Sequence, residues 1–137
     1  EGTLVIDHYA YNVSRFTKSA PLFRAYLRRV SPEDSLRRTE QLVRRLMPLH
    51  ERTRASRLAH VVLSRISPVA YYGHTYPELD PLLLREWALL DTHDSLTDRY
   101  KHLRTRRQIL ATLKALGLDD MYCDYGGNGI EARGRRP

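Results

Sequence analysis

Cysteine is almost missing from this chain of 137 residues. Cys123 stands alone, which excludes an internal disulfide framework and any cysteine-rich metal site. Its place between Tyr122 and Asp124, in a short strand-like run, suggests a buried, inert thiol. Lysine is nearly as scarce, with Lys18, Lys101 and Lys114 the only examples, so the formal net charge of +7 comes from arginine. No apolar run approaches the roughly 20 residues needed to cross a bilayer. No signal-peptide pattern is present either, and a cytoplasmic location is the expectation. The six histidines (His8, His50, His60, His74, His93 and His102) lack metal-ligand spacing, so no metal site is expected. Internal repeats and low-complexity segments are also lacking.

Arginine is abundant and comes in doublets at Arg28-Arg29, Arg37-Arg38, Arg44-Arg45, Arg106-Arg107 and Arg135-Arg136. Arginine clusters neutralise phosphates and release counterions. The doublets nonetheless fall on several different elements, often beside Glu33, Asp34, Glu40 or Glu51. There is no basic recognition helix, RNP-like aromatic motif or zinc finger. A solvated polar surface is the expected reading, and a nucleic-acid partner is not expected.

Residues 2–9 read as a β-strand buried on both faces, because Thr3-Leu4-Val5-Ile6 is continuous and rich in β-branched residues. A buried strand needs neighbours on both edges, and nothing earlier in the sequence supplies one. A helical period follows in Leu22, Phe23, Tyr26, Leu27 and Val30. Ser31-Pro32-Glu33-Asp34 then has the signature of a helix start, with a capping serine, proline at the first position and acids in the first turn. The stripe Leu36, Leu42, Val43, Leu46 and Met47 continues that helix, and Pro48 marks its expected end. A third helix over 55–66 turns Leu58, Val61, Val62 and Ile66 inward, and an aromatic loop spans 68–79. Asp80-Pro81 opens a helix carrying Leu82, Leu83, Leu84, Trp87, Ala88 and Leu90, with Trp87 expected in the core. A polar connector at 91–102 follows. Thr105 and Gln108 then form a capping-box pair and Gly117 ends the helix. Strands at 120–125 and 129–135, joined by Gly126-Gly127-Asn128-Gly129, read as an antiparallel hairpin. The glycine run lies between strands rather than before a helix, which argues for a turn and against a phosphate loop.

Four segments together resemble the C-terminal half of a class I S-adenosylmethionine-dependent methyltransferase. Gly2 to Tyr9 resembles that family's fifth strand, G-x-L-V-[IV]-x-x-[YH]. Leu89 to Thr105 is similar to L-L-D-T-x-D-x-L-[ST]-x-x-Y-x-H-x-[RH]-T, Ala115 to Leu118 to the helix ending A-x-G-L, and Gly127 to Gly134 to G-[NG]-G-[IV]-x-x-[RK]-[GA]. The resemblance implies an α/β fold: the C-terminal part of a Rossmann-like methyltransferase, with a three-stranded partial mixed sheet and a large helical insertion. The last strand would insert antiparallel between the fifth and sixth. The organisation it implies is 1–11 as core strand, 12–90 as helical lid, and 91–137 as connector, capped helix and hairpin. The family's Gly-rich loop and the acidic residue after its second strand have no counterpart here. S-adenosylmethionine would therefore be held mainly by residues absent from this chain. The missing N-terminal half, or a second copy, would pair at the first strand.

In such a protein the acceptor pocket is walled by the end of strand five and the lid. The resemblance accordingly implies Tyr9, Tyr11, Tyr71, Tyr72, Tyr76 and Tyr100 as substrate-binding residues, with His74 beside them, for a small-molecule acceptor. His93 and His102 are the candidate general bases, and a structural hydrogen bond is the competing role for each. Asp91 and Asp94 are open to a paired-carboxylate role or to local capping and ion pairs with Arg99. The competing function is a basic, mostly helical, non-enzymatic module for an anionic or protein partner.

Overall fold

The computed structural model describes residues 2–11, 17–126 and 129–137. Three strands and five helices follow in the order β1 (Gly2–His8), α1 (Ala20–Leu27), α2 (Pro32–Arg52), α3 (Arg57–Ile66), α4 (Pro81–Thr97), α5 (Arg106–Ala115), β2 (Asp119–Gly126) and β3 (Gly129–Arg136). They form two compact units, one of Glu1–Asn12 with Tyr100–Pro137 and the other of Val13–Arg99. Among the described residues no helix is long and apolar enough to cross a membrane.

The first unit is a three-stranded sheet in the order β1-β3-β2 under α5. The β2–β3 hairpin closes at Gly126 opposite Gly129, while Gly127 and Asn128 lie outside the described residues. β1 pairs antiparallel with β3, from Gly2 opposite Arg136 to His8 opposite Ile130. β1 and β2 therefore run in the same direction, on either side of β3. Both neighbouring pairs are antiparallel, so the parallel pairing that a mixed sheet needs is not found among the described strands. The core of the unit joins Ile109 and Leu113 of α5 to Cys123, Ile130 and Ala132 of the hairpin.

Both ends of α5 follow from local chemistry. Thr105 accepts from the Gln108 N–H while the Gln108 side chain accepts from the Thr105 N–H, a complete capping box. At the other end Leu118 N–H reaches the Leu113 carbonyl (3.2 Å) and Gly117 N–H that of Lys114 (3.0 Å), with Gly117 at φ +69°. This is a Schellman closure, which glycine permits without steric cost.

The burial expected of β1 is not present. Val5 is 74% exposed and Leu4 is also exposed. The strand has the sequence of an interior strand but the surroundings of an edge: β3 holds one side, no described strand pairs with the other, and α5 packs over β2 and β3. Only Ile6 reaches the core.

The second unit is helical. α2 packs on α4, which also receives α1. Val43 and Met47 meet Leu84, Ala88 and Val69 in the core. The buried line of α2 is Ser35, Thr39, Val43, Met47 and His50, so its N-terminal half buries hydroxyls rather than the expected Leu36. Those hydroxyls are satisfied within the helix: Ser35 donates to the Pro32 carbonyl (2.8 Å) and Thr39 to the Ser35 carbonyl (2.8 Å). Pro48 does not end α2, which continues to Arg52. Pro48 is exposed, so the carbonyl it leaves without a helical donor is on the wet side of the helix.

Two more expectations change. α4 continues through Thr97, so residues 91–97 are helical and not a connector, and the boundary placed after residue 90 falls inside the helix. On α3 only Leu63 is buried, while Leu58, Val61, Val62 and Ile66 are exposed. The four share one face of the helix, but it is not the buried one, and nothing described in the unit covers it.

Candidate functional site

The expected site residues divide between the two units: Tyr9, Tyr11, Tyr100 and His102 in the sheet unit, and Tyr71, Tyr72, Tyr76 and His93 in the helical unit.

In the sheet unit the chain leaving β1 is clamped to the segment that leads into α5. Tyr9 carbonyl accepts from Arg104 N–H (3.1 Å), and Tyr11 N–H donates to Arg104 carbonyl (2.8 Å). Ala10 and Arg104 thus form an isolated parallel bridge. The His8 ring nitrogen Nδ1 donates to the same Tyr9 carbonyl at 3.2 Å. Lys101 Nζ sits 3.7 Å from the centroid of the Tyr9 ring, a cation–π contact. The outcome is a half-exposed phenol beside an ammonium at the carboxyl end of β1. Gly129 lies directly beneath this segment, where a Cβ would meet the His8 carbonyl oxygen at 2.4 Å and Ala10 N at 2.5 Å. Tyr100 is 86% exposed, and His102 is exposed as well.

In the helical unit the aromatic loop lies against the core. Tyr71 and Tyr72 pack on the Val43–Leu84 cluster. The Tyr72 hydroxyl donates to the Asp91 carboxylate, and Tyr72 and Tyr76 each meet Trp87 edge-on with ring centroids 6.0 Å apart. Trp87, expected in the core, is 39% exposed and is held at the edge by these two tyrosines. Asp91 therefore serves as the acceptor for a tyrosine.

Tyr71 joins a group that spacing alone did not bring together. Its ring stacks on His50 (5.2 Å) and meets His74 edge-on (5.5 Å), and His74 lies 3.9 Å from His60. His50 Nδ1, His60 Nδ1, His74 Nε2 and the Tyr71 hydroxyl are buried without a hydrogen-bond partner. His50 is only 1% exposed, and its Nε2 lies 2.8 Å from Ser67 Oγ. Burial first, and the neighbouring His60 and His74 second, push the His50 imidazole down from 6.5 to about 4. Burial likewise lowers His74 and raises the Tyr71 phenol. Among the described residues no three histidine, cysteine or acidic side chains are placed to hold a metal ion.

His93 is held by a serine of α2. Its Nε2 lies 3.2 Å from Ser35 Oγ, whose single proton goes to the Pro32 carbonyl. With that proton so engaged, Nε2 is the donor to Ser35 Oγ. The ring is half-buried and fixed in orientation. Cys123 is buried, as its sequence setting suggested, and burial raises its thiol pKa.

No known family, curated protein or solved structure matches this chain.

The chain's one glycine-rich run, starting at Gly126, joins two antiparallel strands with no helix following it. Gly126 and Gly129 themselves lie at strand ends, with no helix N-terminus following them to meet a pyrophosphate or methionyl group.

Sequence reasoning also passed over a groove between α2 and α4, of about 310 Å³, lined by Arg37, Arg44, Arg85, Glu40 and Leu89 among others. The signal was available: Arg37, Glu40, Gln41 and Arg44 are spaced i, i+3, i+4 and i+7, on one helix face.

Proposed function

We propose that this chain is the substrate-lid and C-terminal portion of an S-adenosylmethionine-dependent methyltransferase acting on a small-molecule acceptor. The observation that carries the reading is the strand order β1-β3-β2. A hairpin admits a third strand on either side. Pairing β1 with β3 leaves β1 and β2 co-directed around an antiparallel last strand, which is the arrangement the sequence resemblance implies. The capped helix α5 immediately before β2 and the helical unit between β1 and α5 support the same reading. The exposed, β-branched β1 supports it too, since an interior strand without its neighbour presents this surface.

On this reading the cofactor-binding half is carried elsewhere, in the same polypeptide or in another, and meets the free edge of β1. This chain contributes the acceptor's surroundings. In the sheet unit Tyr9 and Tyr11 lie at the end of β1, with the Lys101 ammonium against the Tyr9 ring, and in the helical unit His93 is the candidate base. Transfer then rests on positioning and exclusion of water more than on covalent chemistry.

Calorimetry with S-adenosylmethionine tests the proposal, using the 137-residue chain alone and joined to its cofactor-binding half. Binding only by the joined form is expected; no binding by either contradicts it. The latter result would favour a second reading, a basic, non-enzymatic helical module for an anionic or protein partner. The arginine-lined groove of the helical unit supports that alternative.

A further inference from the structure

The aromatic loop is closed on α2 and α3 by a chain of rings. His50, in the last turn of α2, stacks on Tyr71, with ring centroids 5.2 Å apart. Tyr71 meets His74 edge-on at 5.5 Å, and His74 lies 3.9 Å from His60 of α3. The loop's own backbone completes the fit, since a Cβ on Gly73 would fall on the Tyr71 hydroxyl. α3 has little apolar hold on the unit, with Leu63 its one buried residue.

This arrangement requires uncharged imidazoles. Each of the three histidines has a ring nitrogen buried without a hydrogen-bond partner, and charging the ring would strand an N–H there. The imidazoles also face one another, and Arg54, in the turn after α2, stands by His74 and Tyr71 while donating to the Pro77 carbonyl at 2.6 Å. Asp91 of α4 is engaged by the Tyr72 hydroxyl, and Arg57 of α3 and Glu78 of the loop are exposed. Glu51 and the C-terminal dipole of α2 act the other way. Burial outweighs both, holding His50 near 4 and lowering His74.

We propose that the His50–Tyr71–His74–His60 stack is a proton-operated latch, which keeps the aromatic loop shut at neutral pH and releases it in mild acid while the α2–α4 core stays folded. Once the loop swings away, the three imidazoles are solvated and take up protons freely. Opening withdraws Tyr72 from Asp91 and takes Tyr72 and Tyr76 off the edge of Trp87. Val43 and Met47 of α2 still meet Leu84 and Ala88 of α4, so the helices keep their apolar seam. The latch belongs to the helical unit and holds whether or not the transferase reading does.

Hydrogen exchange on the full chain between pH 7 and pH 5, corrected for intrinsic rates, tests it. The amides of Thr75 and Tyr76, both bonded to the Tyr72 carbonyl at 2.9 Å, report the loop, and those of Val43 and Met47 report α2. The loop's opening constant should rise at least about fivefold from pH 6 to pH 5. His50 alone supplies that factor by titrating near 6.5 when open and about 4 when closed. α2 should keep its protection over the same range. Trp87, the chain's single tryptophan, should change its emission together with the loop. His50→Gln with His74→Gln should abolish the rise; should that variant fail to fold, His74→Gln alone should reduce it. His8→Gln, in the sheet unit, should leave it intact. Loss of protection by loop and α2 together, loop opening indifferent to pH, or a rise that survives the His50 and His74 substitutions would each overturn the proposal.

Discussion

The backbone of Arg104 holds Tyr9 in place, donating its N–H to the Tyr9 carbonyl at 3.1 Å while its own carbonyl accepts from Tyr11 at 2.8 Å. That clamp turns the chain away from the end of β1 and brings the Tyr9 ring beneath the Lys101 ammonium. It closes only because Gly129 has no side chain to obstruct it. Gly129→Ala should therefore destabilise the sheet unit by about 1–3 kcal/mol, the usual cost of forced overpacking. Gly2→Ala, where a Cβ meets nothing within 4 Å, serves as the control and should be neutral. Urea unfolding of the two variants makes the comparison, and equal effects would refute the clamp.

Arg24 should matter more than a surface arginine. It is buried, and its guanidinium donates to the Ser95 carbonyl (2.6 Å) and to the Asp98 carbonyl at the C-terminal end of α4. This satisfies helix-end carbonyls and places positive charge where the helix dipole favours it. Arg24→Met keeps most of the apolar stem while leaving those carbonyls unpaired, and about 1–3 kcal/mol of stability should be lost. Arg28→Met, one helical turn further on and exposed, should change stability by less than about 0.5 kcal/mol.

Stability should fall as the solution is made acid through the histidine range. His50 titrates near 4 when folded and near 6.5 when unfolded, so the unfolded chain takes up its proton first. The contribution of the neutral ring is whole above pH 6.5 and is lost progressively down to about pH 4, by roughly 3 kcal/mol. His74, also lowered by burial, acts in the same direction. His50→Gln should flatten most of this slope in denaturant titrations run between pH 4 and 7. A slope unchanged by the substitution would remove His50 from the explanation.

Cys123 should resist thiol reagents. The side chain is buried, and burial raises its pKa, so little thiolate is present or reachable at neutral pH. Modification is expected to track unfolding; fast labelling of the native chain would contradict the packing of the sheet unit.

The features legible in the sequence were those set by near neighbours. Thr105 and Gln108, Ser31 with its proline and acids, Asp80, and Gly117 all fix helix ends through bonds spanning a few residues, and each lies where its chemistry placed it. The hairpin followed from its glycines. What escaped depends on partners far along the chain. Arg24 finds its carbonyls some 70 residues away, and His50, His60, Tyr71 and His74 converge from two helices and a loop. Pro48 misled because a proline on the wet side of a long helix ends nothing. Leu58, Val61, Val62 and Ile66 misled differently: apolar spacing identifies a face, but burial needs something to cover it. Val5 teaches the same lesson on β1.

Among the described residues β1 has one edge without a partner strand. Amide hydrogen exchange of Gly2–His8 should be measured on the chain alone, on the chain joined to its cofactor-binding half, and on the joined form with S-adenosylmethionine. The outward-facing amides should exchange freely in the chain alone and become protected on joining. S-adenosylmethionine, binding only the folded joined form, should slow their exchange further. Full protection in the chain alone, or exchange indifferent to the cofactor-binding half, would contradict the claim that β1 is an interior strand of a methyltransferase sheet.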